Sequence, residues 1–268
     1  MAAAARTLMN LATNNPANPK KIVGADAIPQ LIAALENRSR LPLMGKITAA
    51  RALANLASNN LDNQNKIVDT GALPHLINLL RDETPQGKEW AAKALINLTS
   101  NNTNNQNKIV DTGALPSLID LLRDETPEHK GLATKVLMNL AFKNTTNQNK
   151  IVDSGSLPHL IDLLRNGTPV AKESAARALV NLTINNPVNQ KKIVDAGALP
   201  HLIDLLRVGT PAHKGLAARA LANLAFNNPG NQKKIVDTGA SPHLIDLLRD
   251  GTWGANKEAA EALMILAS

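Results

Sequence analysis

No cysteine and no tyrosine occurs in the 268 residues, and the only rings besides histidine are two Trp and two Phe. Without cysteine there is no disulfide framework, no thiolate metal site and no Cys nucleophile. With 44% of residues apolar and 1% aromatic, the core has to be assembled from Leu, Ile, Val and Ala, and few rings remain to stack on nucleobases. No run of 18 apolar residues is present, and Met1 to Ala5 lacks the basic start of a signal peptide. The expectation is a soluble chain of the cytoplasm or nucleus with no membrane partner. Glycine-rich phosphate loops, nucleophile elbows and His-Glu zinc motifs are missing as well, so neither an enzymatic activity nor a cofactor is expected.

What the chain has in quantity is repetition. The phrase Lys66-Ile67-Val68-Asp69-Thr70-Gly71-Ala72-Leu73-Pro74 returns, nearly unchanged, around Ile109, Ile151, Ile193 and Ile235, each 42 residues after the last. A fixed period of that length marks a solenoid, in which every unit buries its apolar face against its neighbours. Function then belongs on a long repeated surface. A single elongated domain over 1–268 is expected, with a partial helix at 1–14 and repeats at about 15–59, 60–101, 102–143, 144–185, 186–227 and 228–268.

Within one repeat the signals spell three helices. Asn65 to Thr70 reads as a short amphipathic segment that stops at Gly71, a residue able to take the left-handed conformation at a helix end. Pro74 is expected to open a second helix, His75 to Arg81, with Leu76, Leu79 and Leu80 on one face. Thr84-Pro85 is a helix cap followed by proline, repeated as Thr126-Pro127, Thr168-Pro169 and Thr210-Pro211, and it introduces a third helix from Lys88 to Thr99. An Asn-rich link such as Asn101-Asn102-Thr103-Asn104-Asn105 closes the unit.

Three helices in 42 residues, a Gly-Ala-Leu-Pro junction and Ala-Leu-x-Asn-Leu in the third helix resemble the armadillo repeat, of the importin-α and β-catenin type. The resemblance covers the whole chain. It implies an all-α, right-handed α-solenoid, the armadillo superhelix, whose third helices line a concave groove. The ends depart from the pattern. Ala3 to Ala12 aligns inside a third helix, Gly24-Ala25-Asp26 inverts the usual order, three extra residues fall between Glu36 and Gly45, and Glu261 and Ile265 replace a cation and an Asn. With no polar cap at either end, self-association through the end faces is expected.

The third helices carry the candidate site. Asn55, Asn97, Asn139, Asn181 and Asn223 recur there, with Asn10 ahead of them. Asn is a mediocre helix former, and its amide can grip the N–H and C=O of an extended chain. The armadillo resemblance implies that role for these residues; the bland reading is that each one ties neighbouring repeats together. Four residues earlier on the same face stand Arg6, Arg51, Lys93, Lys135, Arg177 and Arg219, where nuclear import adaptors of the family carry Trp. Such a row attracts acidic peptides and repels basic ones, unless it is merely a solvated face. Trp90, with Leu132, Ser174 and Leu216 at the same place in other repeats, shares the stripe and offers side-chain pockets. Phe142 and Phe226 are expected to turn under the next helix as core.

His75, His159, His201 and His243 recur at the start of the second helix, with Ser117 and Gln30 in the other repeats; they are too far apart to share a metal and read as surface or cap residues. The glycosylation acceptors at Asn97 and Asn181 sit inside expected helices and read as accidental. The sequence thus favours a non-enzymatic scaffold holding an extended, acidic peptide. The alternatives are a nucleic-acid-binding solenoid, prompted by the net charge of +7 and disfavoured by the scarcity of aromatics, and a designed or reconstructed array without a natural ligand.

Overall fold

The computed structural model describes residues 27–36, 43–81, 84–124 and 126–268. The partial helix at 1–14 with Arg6 and Asn10, the inversion at 24–26 and most of the three-residue insertion lie outside them. All regular structure among the described residues is helical, in seventeen helices. They form two compact units that divide after Asp124. The first holds α1 (Ala27–Glu36), α2 (Leu43–Ala57), α3 (Leu61–Asp69), α4 (Ala72–Leu80), α5 (Pro85–Thr99), α6 (Thr103–Asp111) and α7 (Ala114–Leu122). The second holds α8 (Pro127–Ala141), α9 (Thr145–Asp153), α10 (Leu157–Asn166), α11 (Pro169–Thr183), α12 (Pro187–Asp195), α13 (Ala198–Val208), α14 (Pro211–Ala225), α15 (Pro229–Asp237), α16 (Ala240–Asp250) and α17 (Trp253–Leu266).

The local signals work much as the sequence indicates, with shifted boundaries. Thr84 Oγ1 accepts from the Gly87 N–H and caps α5, which begins at Pro85 rather than Lys88. Thr168 and Thr210 cap α11 and α14 in the same way. Gly71 has φ 94°, a region closed to most side chains, and turns the chain straight from α3 into α4. Because that turn is so tight, α4 begins at Ala72 and Pro74 is its third residue, not its first. The proline still falls in the first turn, where its missing N–H costs no helix bond. The first helix of the repeat is longer than expected, since Asn60 caps it from Leu61.

Burial follows the apolar pattern. Leu76, Leu79 and Leu80 are buried, as are Ile67, Ile109, Ile151, Ile193 and Ile235. Small Ala residues let the third helices approach closely: α2 packs on α5 in the first unit, and α8 on α11, α11 on α14 and α14 on α17 in the second.

The Asn-rich links, read from sequence as connectors, are buried ties. Asn186 Oδ1 accepts from the Asn189 N–H, while its amide donates to Gln148 Oε1 at 3.0 Å and Asn149 Oδ1 at 2.8 Å in the preceding repeat. Asn102 does the same with Gln64 and Asn65. Asn189 then donates to the Leu182 carbonyl, as Asn63, Asn105, Asn147 and Asn231 do to the third helix that precedes each of them. One residue before each cap the backbone is left-handed, at Asn59, Asn101, Asn185 and Asn227, with Lys143 the exception in kind. A Lys-to-Asp pair on the surface follows the same spacing: Lys108 with Asp69, Lys192 with Asp153, Lys234 with Asp195. Asp195 also accepts from Lys191, and the two ammonium groups, Lys191 foremost, lower its carboxyl to about 2.

In the last repeat Val236, Ile245 and Leu248 are exposed, whereas their counterparts Val194, Ile203 and Leu206 are buried under the repeat that follows. The uncovered residues are ordinary repeat residues, which is why their sequence does not distinguish them.

Candidate functional site

In the first unit, the α2–α5 packing places Asn55 beside Asn97: the Asn97 amide donates to the Ala54 carbonyl at 2.8 Å. In the second, Asn181 donates to the Met138 carbonyl at 3.0 Å and Asn223 to the Val180 carbonyl at 3.5 Å. Each acceptor is the residue just before the stripe Asn of the preceding third helix. The tie between repeats that the sequence left open is therefore real at these three positions. It uses one of the two amide hydrogens, and all five Asn side chains remain half-exposed. An Asn amide has two hydrogens to donate and an oxygen that accepts, so the tie at Asn97, Asn181 and Asn223 occupies one donor of the group.

The cations beside them are less uniform than their spacing. Arg51 and Lys93 lie over the Trp90 ring, with Arg51 Cζ 4.8 Å and Lys93 Nζ 4.7 Å from its centroid. Trp90 is thus brought together with both cations, and the ring faces that would make a pocket are covered by the chain's own charges. Lys93 is also bound by Glu89, one turn before it, and Arg177 by Glu173 at 3.0 Å and 3.1 Å. Lys135 and Arg219 have Gly131 and Gly215 at that place. The Glu partners, unnoticed in the sequence, were readable there as the i, i+4 pairs that help an exposed helix.

Around the stripe, Leu132 and Ser174 are buried and offer no pocket. The expectation for Phe142 and Phe226 fails: they are 38% and 48% exposed. Each is the residue on which its third helix ends, with extended backbone that turns the ring outward before the Asn caps. Lys143 Nζ rests 5.3 Å from the centre of the Phe142 ring.

The stripe changes sign at its end. On α17, Glu258 and Glu261 occupy the places held elsewhere by Trp90 and the cations, and Ile265 the place of Asn. Burial raises the Glu258 carboxyl above its ordinary value and the charge of Glu261 adds to it, while Arg219 and Lys257 act in opposition.

Away from the stripe, the histidines stay apart from one another. His75 Nε2 lies 3.2 Å from a carboxylate oxygen of Glu36. His243 lines a cleft of about 370 Å³ with Arg207, Lys214, Asp246 and Asp250. No cluster of three or more metal-binding side chains exists among the described residues, and none of the described helices is long and apolar enough to cross a membrane. Both glycosylation acceptors lie within helices, and their Thr99 and Thr183 are buried.

Comparison with known proteins supplies a family. A family model described as Repellent protein 1 matches residues 54–260. None of the curated proteins compared matches the sequence. Among solved structures, an engineered protein from a structural genomics consortium superposes with a TM-score of 0.93 at 34% identity, covering 99% of this chain and 64% of that one. Computationally designed armadillo repeat proteins for modular peptide recognition give a TM-score of 0.83 at 28% identity, over 89% of this chain and 99% of that one. A designed armadillo repeat protein in complex with the peptide (KR)4 gives the same score, identity and coverage. The helical repeat superposes on those structures over most of its length, so the chain is an all-α armadillo solenoid. By its family model over residues 54–260 the chain belongs to the Repellent protein 1 family, and by its repeats to the armadillo proteins.

Proposed function

We propose that the third helices hold an extended polypeptide segment, gripped through its backbone by the stripe Asn residues and through acidic side chains by the neighbouring cations. The observation that carries this reading is the half-spent Asn amide. At Asn97, Asn181 and Asn223 one hydrogen fixes the side chain to the preceding helix, which holds the rest of the amide in place and lowers the ordering cost of binding. Similarity to armadillo proteins designed for peptide recognition supports a peptide as the ligand class. The relative in complex with (KR)4 binds a basic peptide; in this chain Arg51 of the first unit and Lys135, Arg177 and Arg219 of the second are exposed cations beside the stripe Asn residues. A basic peptide would meet like charge there. The scaffold needs no catalytic group or cofactor for this task.

The outward Phe142 and Phe226 favour a second reading, since exposed rings, with Lys143 beside the first of them, also suit a single-stranded nucleic acid. Competition separates the two. A fluorescent Glu-rich extended peptide should bind with an affinity that falls with salt, and should resist displacement by a single-stranded oligonucleotide at equal charge. Displacement by the oligonucleotide at much lower concentration, with loss on Phe142→Ala, would favour nucleic acid instead.

A further inference from the structure

The second unit's stripe is not uniformly basic but polar from end to end. Lys135 on α8 is exposed and has no carboxylate one turn before it, because Gly131 stands there. Arg177 is shared with Glu173, and Arg219 is opposed by the neighbouring charge of Glu258. At the far end Glu258 and Glu261 sit on the same stripe, and neither takes part in an ion pair among the described residues. Lys257 lies beside them, its charge opposing that of Glu258 without an ion-pair contact. The accessible charge therefore runs from cationic at Lys135, through a partly neutralised middle, to anionic at the exposed Glu261, with the half-buried Glu258 one turn before it.

We infer that the second unit takes a bipolar peptide, with an acidic side chain over Lys135 and a basic side chain over Glu258 and Glu261. This rests on the peptide-binding reading above and names the ligand's charge pattern. Lys135 and Glu261 are three repeats apart. Stacked helices spaced at about 8–10 Å span roughly two or three residues of an extended chain at about 3.3 Å each, and concave stacking brings this toward two. The two charges of the ligand should then be about six residues apart. A peptide acidic throughout would carry a carboxylate onto Glu258 and Glu261, where repulsion offsets what Lys135 supplies.

The test is fluorescence anisotropy on the full chain with two labelled peptides identical except at one position. One has Glu and Lys six residues apart; the other has Glu at both places. The bipolar peptide should bind about fivefold tighter at low salt, the range set by one or two exposed ion pairs. Glu258→Gln with Glu261→Lys should reverse the ranking, and Glu261→Gln alone, a conservative change at an exposed site, should at least halve the difference. Equal affinity of the two peptides for the unaltered chain, or a ranking that survives both substitutions, overturns the inference and leaves the peptide-binding reading standing. Failure of both peptides to bind overturns the peptide-binding reading and the inference with it.

Discussion

Two asparagines five residues apart, Asn181 and Asn186, should differ sharply in what their replacement by alanine costs. Asn186 is buried and spends its whole side chain on the fold: Oδ1 caps α12 through the Asn189 N–H, and the amide reaches Gln148 and Asn149. Losing an N-cap costs about 0.5–2 kcal/mol. Leaving a buried acceptor such as Gln148 Oε1 without its donor costs about 1–3 kcal/mol more. The two losses share one side chain and do not simply add, so a destabilisation of about 2–4 kcal/mol is expected for Asn186→Ala. Asn181→Ala removes one half-exposed hydrogen bond to the Met138 carbonyl, worth about 0.5–1.5 kcal/mol, but places the best helix former inside α11, which returns roughly 0.5 kcal/mol. Its net cost should be below about 1 kcal/mol. Urea titration followed by circular dichroism, with both variants measured at the same protein concentration, reads the difference. A cost for Asn181→Ala equal to that of Asn186→Ala would mean that the stripe Asn is a structural tie held as tightly as the buried one, and the reasoning would be refuted.

Four further outcomes follow from the same structure. Lys143→Asn should stabilise the chain by about 0.5–1 kcal/mol, because φ is 51° there and Asn tolerates the left-handed region that Lys does not; an unchanged melting curve would show no strain at that position. Ile203→Asp should unfold or severely destabilise the second unit, whereas Ile245→Asp, at the same place in the uncovered last repeat, should change stability by less than about 1 kcal/mol; equal losses in thermal melts would contradict the burial assignment. The lowered Asp195 carboxyl stabilises the fold at pH values above the ordinary carboxylate pKa, and that contribution is lost as pH falls from about 4 toward about 2. Stability measured across that window should therefore fall less steeply in Asp195→Asn, and identical slopes would count against the pair. Gly131→Glu, where an added Cβ meets no atom within 4 Å, should raise stability by about 1 kcal/mol through helix propensity and pairing with Lys135, while weakening an acidic peptide. A gain in peptide affinity would contradict the role given to Lys135.

The repeat, the helix order and the core were legible because each rests on local chemistry: the 42-residue return of Ile-Val-Asp, the Thr-Pro caps and the left-handed glycine. The stripe of Asn and cations on the third helices was legible as a set of positions sharing one helix face. What their side chains do was not, because an Asn pointing along the stripe and an Asn pointing under the next repeat share a residue type. Asn97 and Asn102 differ only in where the helix ends, and that end is set by the left-handed Asn101 between them. The same short turn directs Phe142 and Phe226 outward although their hydrophobicity argued for core. The Glu89 and Glu173 partners were visible as i, i+4 pairs, yet reading a cation row repeat by repeat concealed that only some repeats supply the matching acid.

The central claim is that cations and Asn amides on the third helices of the second unit form a peptide-binding surface. Its most direct test is the affinity of a single extended, Glu-bearing peptide for the unaltered chain and for the triple variant Lys135→Glu, Arg177→Glu, Arg219→Glu. All three positions are exposed, so the fold should survive, as circular dichroism would verify. Binding to the unaltered chain should weaken steeply with added salt and disappear in the triple variant, which should instead prefer the matching Lys-bearing peptide. An unchanged preference for the Glu-bearing peptide after that reversal would contradict the claim.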